Sequence, residues 1–393
     1  MWSALDYIDW RGDLSFKVSP VNCVDVFLCS QLATPDYAGI VSNSNKPVLL
    51  GNVVKEYFET HEDSMESLGV LQSQYVHPML HKLPEALRFK RIKLAYYFNK
   101  VNPENEEQCS AVTVVFPSGN ICISFRGTDD TIIAWKEDFN LAIMDKVPAY
   151  DDALNYIKRV SKAFPGAEIT VCGHSKGGNI AVYASVMAPK SIRDRIVRVY
   201  SFDGPGFRDV FLKTKQYTEM KDRIITVISD NSFVGVLMKR AGTERIVHAN
   251  VEGPMAHDGF NWEVMGTDFV SEQSLNRISA TFEDAMDSAL NEMTTEEKKL
   301  FTDELFDTLL STGAVTCSDL TKLGVKTFSV LSEFGKDEKV KAFGKLLTEE
   351  YMKSTYDNSK LSEFDRDVNE KIINTTNTVK AIGKSIKKAI KKK

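Results

Sequence analysis

Ile169-Thr170-Val171-Cys172-Gly173-His174-Ser175-Lys176-Gly177-Gly178-Asn179-Ile180-Ala181-Val182-Tyr183-Ala184-Ser185 decides how this chain is read. Its β-branched opening, Ile169 to Cys172, reads as a strand. Its end, from Asn179 onward, reads as an apolar helix. Between them Gly173-His174-Ser175-Lys176-Gly177 fits G-x-S-x-G. A serine on so sharp a turn projects its hydroxyl above the sheet, and side chains at Gly173 or Gly177 would collide with the neighbouring strand or helix. The helix N-terminus beneath Ser175 favours developing negative charge. The competing reading is a glycine-rich strand-to-helix turn whose serine is idle.

Working outward, strand patterns recur on both sides. Upstream are Ile92–Phe98, Ala111–Phe116 and Ile121–Phe125, the last two separated by the turn signal Pro117-Ser118-Gly119-Asn120. Tyr150–Phe164 carries Ala153, Leu154, Ile157, Val160 and Phe164 at helical spacing and stops at Pro165-Gly166. Downstream come Glu168–Cys172, Val197–Phe202, Arg223–Ser229 and Arg245–Val251. Strands alternating with helices predict an α/β protein with a mostly parallel central sheet. The expected organisation is an N-terminal cap region over 1–90, an α/β-hydrolase core over 91–270, a helical extension over 271–379 and a basic tail over 380–393. In the extension, Thr294 to Glu297 has capping-box spacing.

A serine hydroxyl becomes a nucleophile when an imidazole takes its proton and a carboxylate orients that imidazole. In α/β-hydrolases the chain order is serine, acid, histidine. Of the six histidines, only His248 and His257 follow Ser175. His248 lies inside a predicted strand and His257 in the loop after it, which favours His257 as the base. Two carboxylates end predicted strands, Asp203 and Asp230. Asp230, on the strand before the one leading to the base, is favoured as the acid. Asp203 is the alternative, or a loop carboxylate bonding backbone amides before Gly204-Pro205-Gly206. Two donors must meet a tetrahedral oxyanion. One is the N–H of Lys176, and the other is expected from Thr128, at the end of the earlier strand run Ile123-Ser124-Phe125-Arg126-Gly127-Thr128-Asp129.

Phe125-Arg126-Gly127-Thr128 with Trp135 and Asp138, then Gly173–Gly178, then Tyr200-Ser201-Phe202-Asp203-Gly204-Pro205-Gly206 together resemble the fungal-type (class 3) lipases. They resemble more closely a bacterial lipase-like family of unknown function, the Mbeg-like proteins. The resemblance covers roughly residues 90–270. It implies the triad Ser175, Asp230 and His257, with Thr128 and Lys176 as oxyanion donors. Lys176 departs from the usual leucine after the serine, which bears on a triglyceride substrate and leaves acyl transfer untouched. The segment Thr131–Trp135 corresponds to a mobile apolar lid in such lipases. In this chain a buried helix start is the equal alternative.

Composition narrows the field. The 393 residues carry a net charge of −5, with 43% hydrophobic and 26% charged residues, which argues against a nucleic-acid partner. The six cysteines form no CxxC pair and read as reduced core thiols. No apolar start resembling a signal peptide and no stretch of membrane-spanning length occurs, so a cytoplasmic location is expected. No metal-ligand spacing, P-loop or dinucleotide fingerprint stands out, so neither metal nor cofactor is expected. Lys380, Lys384, Lys387, Lys388 and Lys391–Lys393 alternate with Ile382, Ile386 and Ile390. That tail reads as a solvated charged segment or as a basic amphipathic helix making weak contact with an anionic membrane. The expected function is a serine hydrolase of the lipase or esterase kind, acting on a small-molecule or lipid acyl substrate. The alternatives are a non-catalytic scaffold of the same fold and a serine peptidase.

Overall fold

Capping starts the chain. In the computed structural model, which describes residues 1–63, 73–292, 294–316 and 319, α1 (Ala4–Arg11) begins at a capping box of Ser3 with Asp6. α2 (Cys23–Gln31) begins at a second, Asn22 with Asp25, and all nine of its residues are buried. β1 (Val48–Leu49) runs into α3 (Leu50–Thr60), and α4 (Val76–Lys82) follows. β2 (Lys93–Asn102), β3 (Glu107–Val115) and β4 (Ile121–Phe125) then form an antiparallel meander. A bulge interrupts the β2–β3 pairing between Ala95 and Phe98, where Tyr96 takes a φ of 56°.

After β4 the connections become helical. α5 (Ile132–Ile143) and α6 (Pro148–Ala163) lead to β5 (Ile169–His174), α7 (Lys176–Met187) and α8 (Lys190–Arg193). β6 (Ile196–Phe202) is followed by α9 (Asp209–Leu212) and α10 (Lys215–Met220), then by β7 (Ile224–Ser229) and β8 (Thr243–Val247). The eight strands lie in sequence order in one sheet, antiparallel from β1 to β4 and parallel from β4 to β8. The fold is that of an α/β-hydrolase, a mostly parallel sheet with helical crossovers. β9 (Val264–Met265) and β10 (Asp268–Phe269) form a separate short ribbon.

Alternation along the central strands feeds an apolar cluster on each face. On β4, Ile121, Ile123 and Phe125 join Val171, Ile157 and Ile180 on one side, while Cys122 joins the other. That other cluster holds α2, with Phe27 in edge-on contact with Phe202, Phe260 and Phe269. Arg88 is fully buried, donates to Asp25, and reaches the carbonyls of Leu14, Ser19 and Pro20 at 2.9–3.1 Å. It ties the turns before α2, and α2 itself, to the segment leading into β2 through an ion pair that is costly to break from one side.

The N-terminal stretch therefore differs from a cap over the core. Residues 1–276 pack as one unit, and α2 lies against β4 and β5. The run Val24–Cys29 belongs to this helix, which is buried all round and carries apolar residues on every side, with Asp25 taken up by Arg88. The Thr131–Trp135 segment is the start of α5, capped by the Thr131 hydroxyl, with Ile132 and Ala134 buried. The second unit, residues 277–393, contains α11 (Arg277–Glu292) and α12 (Thr295–Ser311). The basic tail over 380–393 and Cys317 lie outside the described residues. The other five cysteines are free and buried. Among the described residues no helix is long and apolar enough to cross a membrane.

Candidate active site

Parallel strands deliver their C-terminal ends to one edge of the sheet, and the candidate residues collect there. Ser175 follows β5 with φ 57° and ψ −135°, a strained conformation for a residue with a side chain. The glycines make this turn possible. A Cβ on Gly173 would come within 2.2 Å of the Gly177 carbonyl, and one on Gly177 within 2.2 Å of the Phe125 oxygen. The Ser175 N–H donates to the Phe202 carbonyl at 2.9 Å, which locks the turn to the end of β6.

Asp203 is the next residue after β6. It is fully buried and left-handed, with φ 46°, and its N–H donates to the Val227 carbonyl at 2.7 Å. Its Oδ2 lies 2.6 Å from His257 Nδ1. Its Oδ1 packs against Gly235, where a Cβ would come within 2.5 Å. Asn179 on α7 steadies the loop beyond, donating to the carbonyls of Pro205 and Gly206 and accepting from the Tyr150 hydroxyl at 2.6 Å.

His257 closes a short 3-10 turn, Gly253–His257. Trp262, completely buried, donates its indole N–H to the Ala256 carbonyl at 2.8 Å. His174 Nε2 lies 2.7 Å from the His257 carbonyl oxygen, and the two rings are 4.6 Å apart. Burial, reinforced by the neighbouring His257, pushes His174 down to about 3, so it stays neutral and acts as the donor of that bond. His174 thus brings His257 and the serine turn together. The sequence contained it only as the variable position of the motif.

The acid expected at Asp230 is a correction. Asp230 ends β7 as predicted, but its Oδ1 accepts from the Ala249 N–H at 3.0 Å and from Asn231 at 2.9 Å. Its Oδ2 faces His248 at 3.5 Å. His257 Nδ1 is committed to Asp203. The 3-10 turn hangs His257 over the end of β6, one strand nearer the serine than the chain order suggests.

The strand-end loop after β4 abuts the serine. A Cβ on Gly127 would come within 3.1 Å of the Ser175 Cβ. The Thr128 hydroxyl donates to Asp138 Oδ2 in a short bond. Burial pushes Asp138 up to about 6, against the pull of Lys176 and of the Thr128 bond. The Lys176 side chain turns inward, 1% exposed, with Nζ 3.0 Å from Glu137 Oε2 and 3.9 Å from Asp138 Oδ1. Burial opposes its charge, but Glu137 and then Asp138 outweigh burial and hold the pKa above the usual lysine value. The two Glu137 oxygens also accept from the N–H groups of Gln108 and Ala149, so the buried pair is satisfied. A lysine at an apolar turn was the signal that a carboxylate had to lie beneath it.

A family model described as Mbeg1-like matches residues 83–307, and the chain belongs to that family. No curated protein matches it. Several solved structures resemble it at low identity. The Rhizomucor miehei lipase–propeptide complex is 17% identical, covering 40% of this chain and 58% of that one, with a TM-score of 0.31. A nonglycosylated Yarrowia lipolytica lipase is 15% identical over 48% of this chain and 74% of its own, with a TM-score of 0.33. The chain thus spans little more than half the length of the first of these lipases. At such TM-scores the resemblance adds nothing to what the chain's own residues say about chemistry.

Proposed function

We propose that this protein is a serine hydrolase that cleaves an ester or related acyl bond through an acyl-enzyme. The observation that carries the reading is the buried Asp203 carboxylate 2.6 Å from His257 Nδ1, beside a serine with a φ of 57° at the end of the neighbouring strand. With Nδ1–H donated to Asp203, His257 presents the Nε2 lone pair as the base. Ser175 Oγ attacks the acyl carbon and His257 takes its proton. The resulting imidazolium is stabilised by Asp203 and returns the proton to the leaving alcohol. Water then repeats the sequence in reverse to release the acid. The N–H groups of Lys176, at the N-terminus of α7 where negative charge is favoured, and of Thr128, in the loop after β4, are the candidate oxyanion donors. The Thr128 hydroxyl is held by Asp138, so it serves first to fix the loop. The Lys176 ammonium, paired with Glu137, anchors the turn from below.

A tagged fluorophosphonate tests this. The full chain is expected to label at Ser175, and Ser175→Ala to remain unlabelled. A wild-type protein that neither labels nor hydrolyses a chain-length series of p-nitrophenyl esters would instead be a scaffold with a vestigial site. Turnover of peptides but not of esters would make it a peptidase.

A further inference from the structure

Asp230, excluded from His257, belongs to a second constellation. One ligand atom from each of Asp230, His248 and Glu272 lies within 4.8 Å of the other two. His248 Nδ1 is 3.5 Å from Asp230 Oδ2 and 3.2 Å from Glu272 Oε1. It is shielded from solvent and makes no hydrogen bond of acceptable geometry to either oxygen. Lone pairs converging on one point without bonding one another describe a ligand set for a cation. Bonds of about 2.0–2.2 Å to a tetrahedral ion put neighbouring ligand atoms roughly 3.3–3.6 Å apart, which brackets or adjoins both separations.

The backbone builds this site. The Asp230 N–H donates to the Val247 carbonyl at 2.8 Å, the His248 N–H to Val270 at 2.9 Å and the Glu272 N–H to Ile246 at 2.8 Å. Three chain segments are therefore stitched side by side, each contributing one ligand. The bonds from Ala249 and Asn231 to Oδ1 leave Oδ2 of Asp230 turned toward the histidine. In sequence the three are 18 and 24 residues apart, so no metal-ligand spacing announces them.

We propose that Asp230, His248 and Glu272 bind a first-row divalent cation of the zinc class, with the remaining position open to water. An imidazole with two carboxylates suits zinc, manganese or iron(II) and disfavours calcium and magnesium, which take oxygen ligands. The site is independent of the proposed hydrolase chemistry, since His257 and Asp203 take no part in it.

The test uses the full-length, untagged chain stripped with a chelator and titrated with Zn²⁺ by calorimetry and with Co²⁺ by visible absorption. The expected result is one equivalent bound, with the strong d–d bands of low-coordinate cobalt. Glu272→Gln and His248→Gln, both at partly exposed side chains, should weaken binding by roughly tenfold or more while circular dichroism stays native. His77→Gln, at a separate cluster where His77 Nδ1 lies 3.2 Å from Asp63 Oδ1, should bind as the wild type does. Failure of the wild type to bind at millimolar metal overturns the proposal. So does wild-type affinity in His248→Gln, or a loss that follows His77 instead.

Discussion

Asp203 and Asp230 end neighbouring parallel strands, and each lies beside a histidine from beyond β8. Asp203 is fully buried, left-handed at φ 46°, and faces one imidazole at 2.6 Å. Asp230 is partly exposed, caps a backbone N–H with one oxygen, and shares His248 with Glu272 at longer range. A strand end supplies a position and nothing more. What the carboxylate does there depends on how tightly its histidine is held and whether that histidine has another partner. A single short bond orients one tautomer, whereas a looser three-way cluster leaves room for something between its members.

The largest effect is expected at the nucleophile, where Ser175→Ala should lower kcat on a good ester by about 10⁴–10⁶ with the fold intact. Wild-type turnover in that variant would remove the basis for treating Asp203 as catalytic. Next, Asp203→Asn should cost about 10⁴ in kcat, because His257 is left in the wrong tautomer. In protein stripped of metal, that loss should exceed the loss from Asp230→Asn at least a hundredfold. Equal losses, or the reverse order, would erase the distinction.

A smaller effect is expected at the third strand end, the loop after β4. Thr128→Val removes the hydroxyl that joins the loop to Asp138 and should lower kcat by about 10²–10³ with little change in KM. Thr128→Ser should recover most of it. Equal damage from both substitutions would indicate packing alone. The mildest effect concerns Asp138, whose pKa rises to about 6 in the fold. A raised carboxylate pKa means that the native state binds the extra proton between roughly pH 4 and 6, so this group's contribution to stability falls as pH rises through that window and is flat above it. Asp138→Asn should flatten that part of the melting-temperature profile. A wild-type profile with the same slope as the variant would show that Asp138 does not titrate there.

The parts legible in the sequence were those fixed by local rules. The serine turn could be read because Gly173 is required by the backbone four residues on and Gly177 by the end of the adjacent strand, a demand every such strand-turn-helix makes. His257 could be read by elimination. Its carboxylate partner could not, because Asp203 and Asp230 look alike along the chain. The difference lies in a left-handed residue and a 3-10 turn that carry His257 across to β6. Likewise α2 loses its helical period because every face is buried, and only the pair Asn22 and Asp25 betrays its start. The inward Lys176 was visible as an anomaly, but its partner Glu137 sits on a helix whose approach to the turn is set by tertiary packing.

The placement of α2 also bears on how the chain is made. Phe27 finishes its packing against Phe260, Trp262 and Phe269, and the Val264 N–H bonds the carbonyl of Trp2. Phe27 and Trp2 are thus completed by residues synthesised more than 200 positions later. At about 5–20 residues per second the apolar helix waits roughly 10 s or longer for its last neighbours. Nascent chains stalled at residue 200 should therefore hold α2 open to protease or to a hydrophobic chaperone, and chains stalled well past residue 300 should not. Protection of α2 at both lengths would mean that it docks on β4 and β5 alone, with the aromatic cluster closing over a helix already in place.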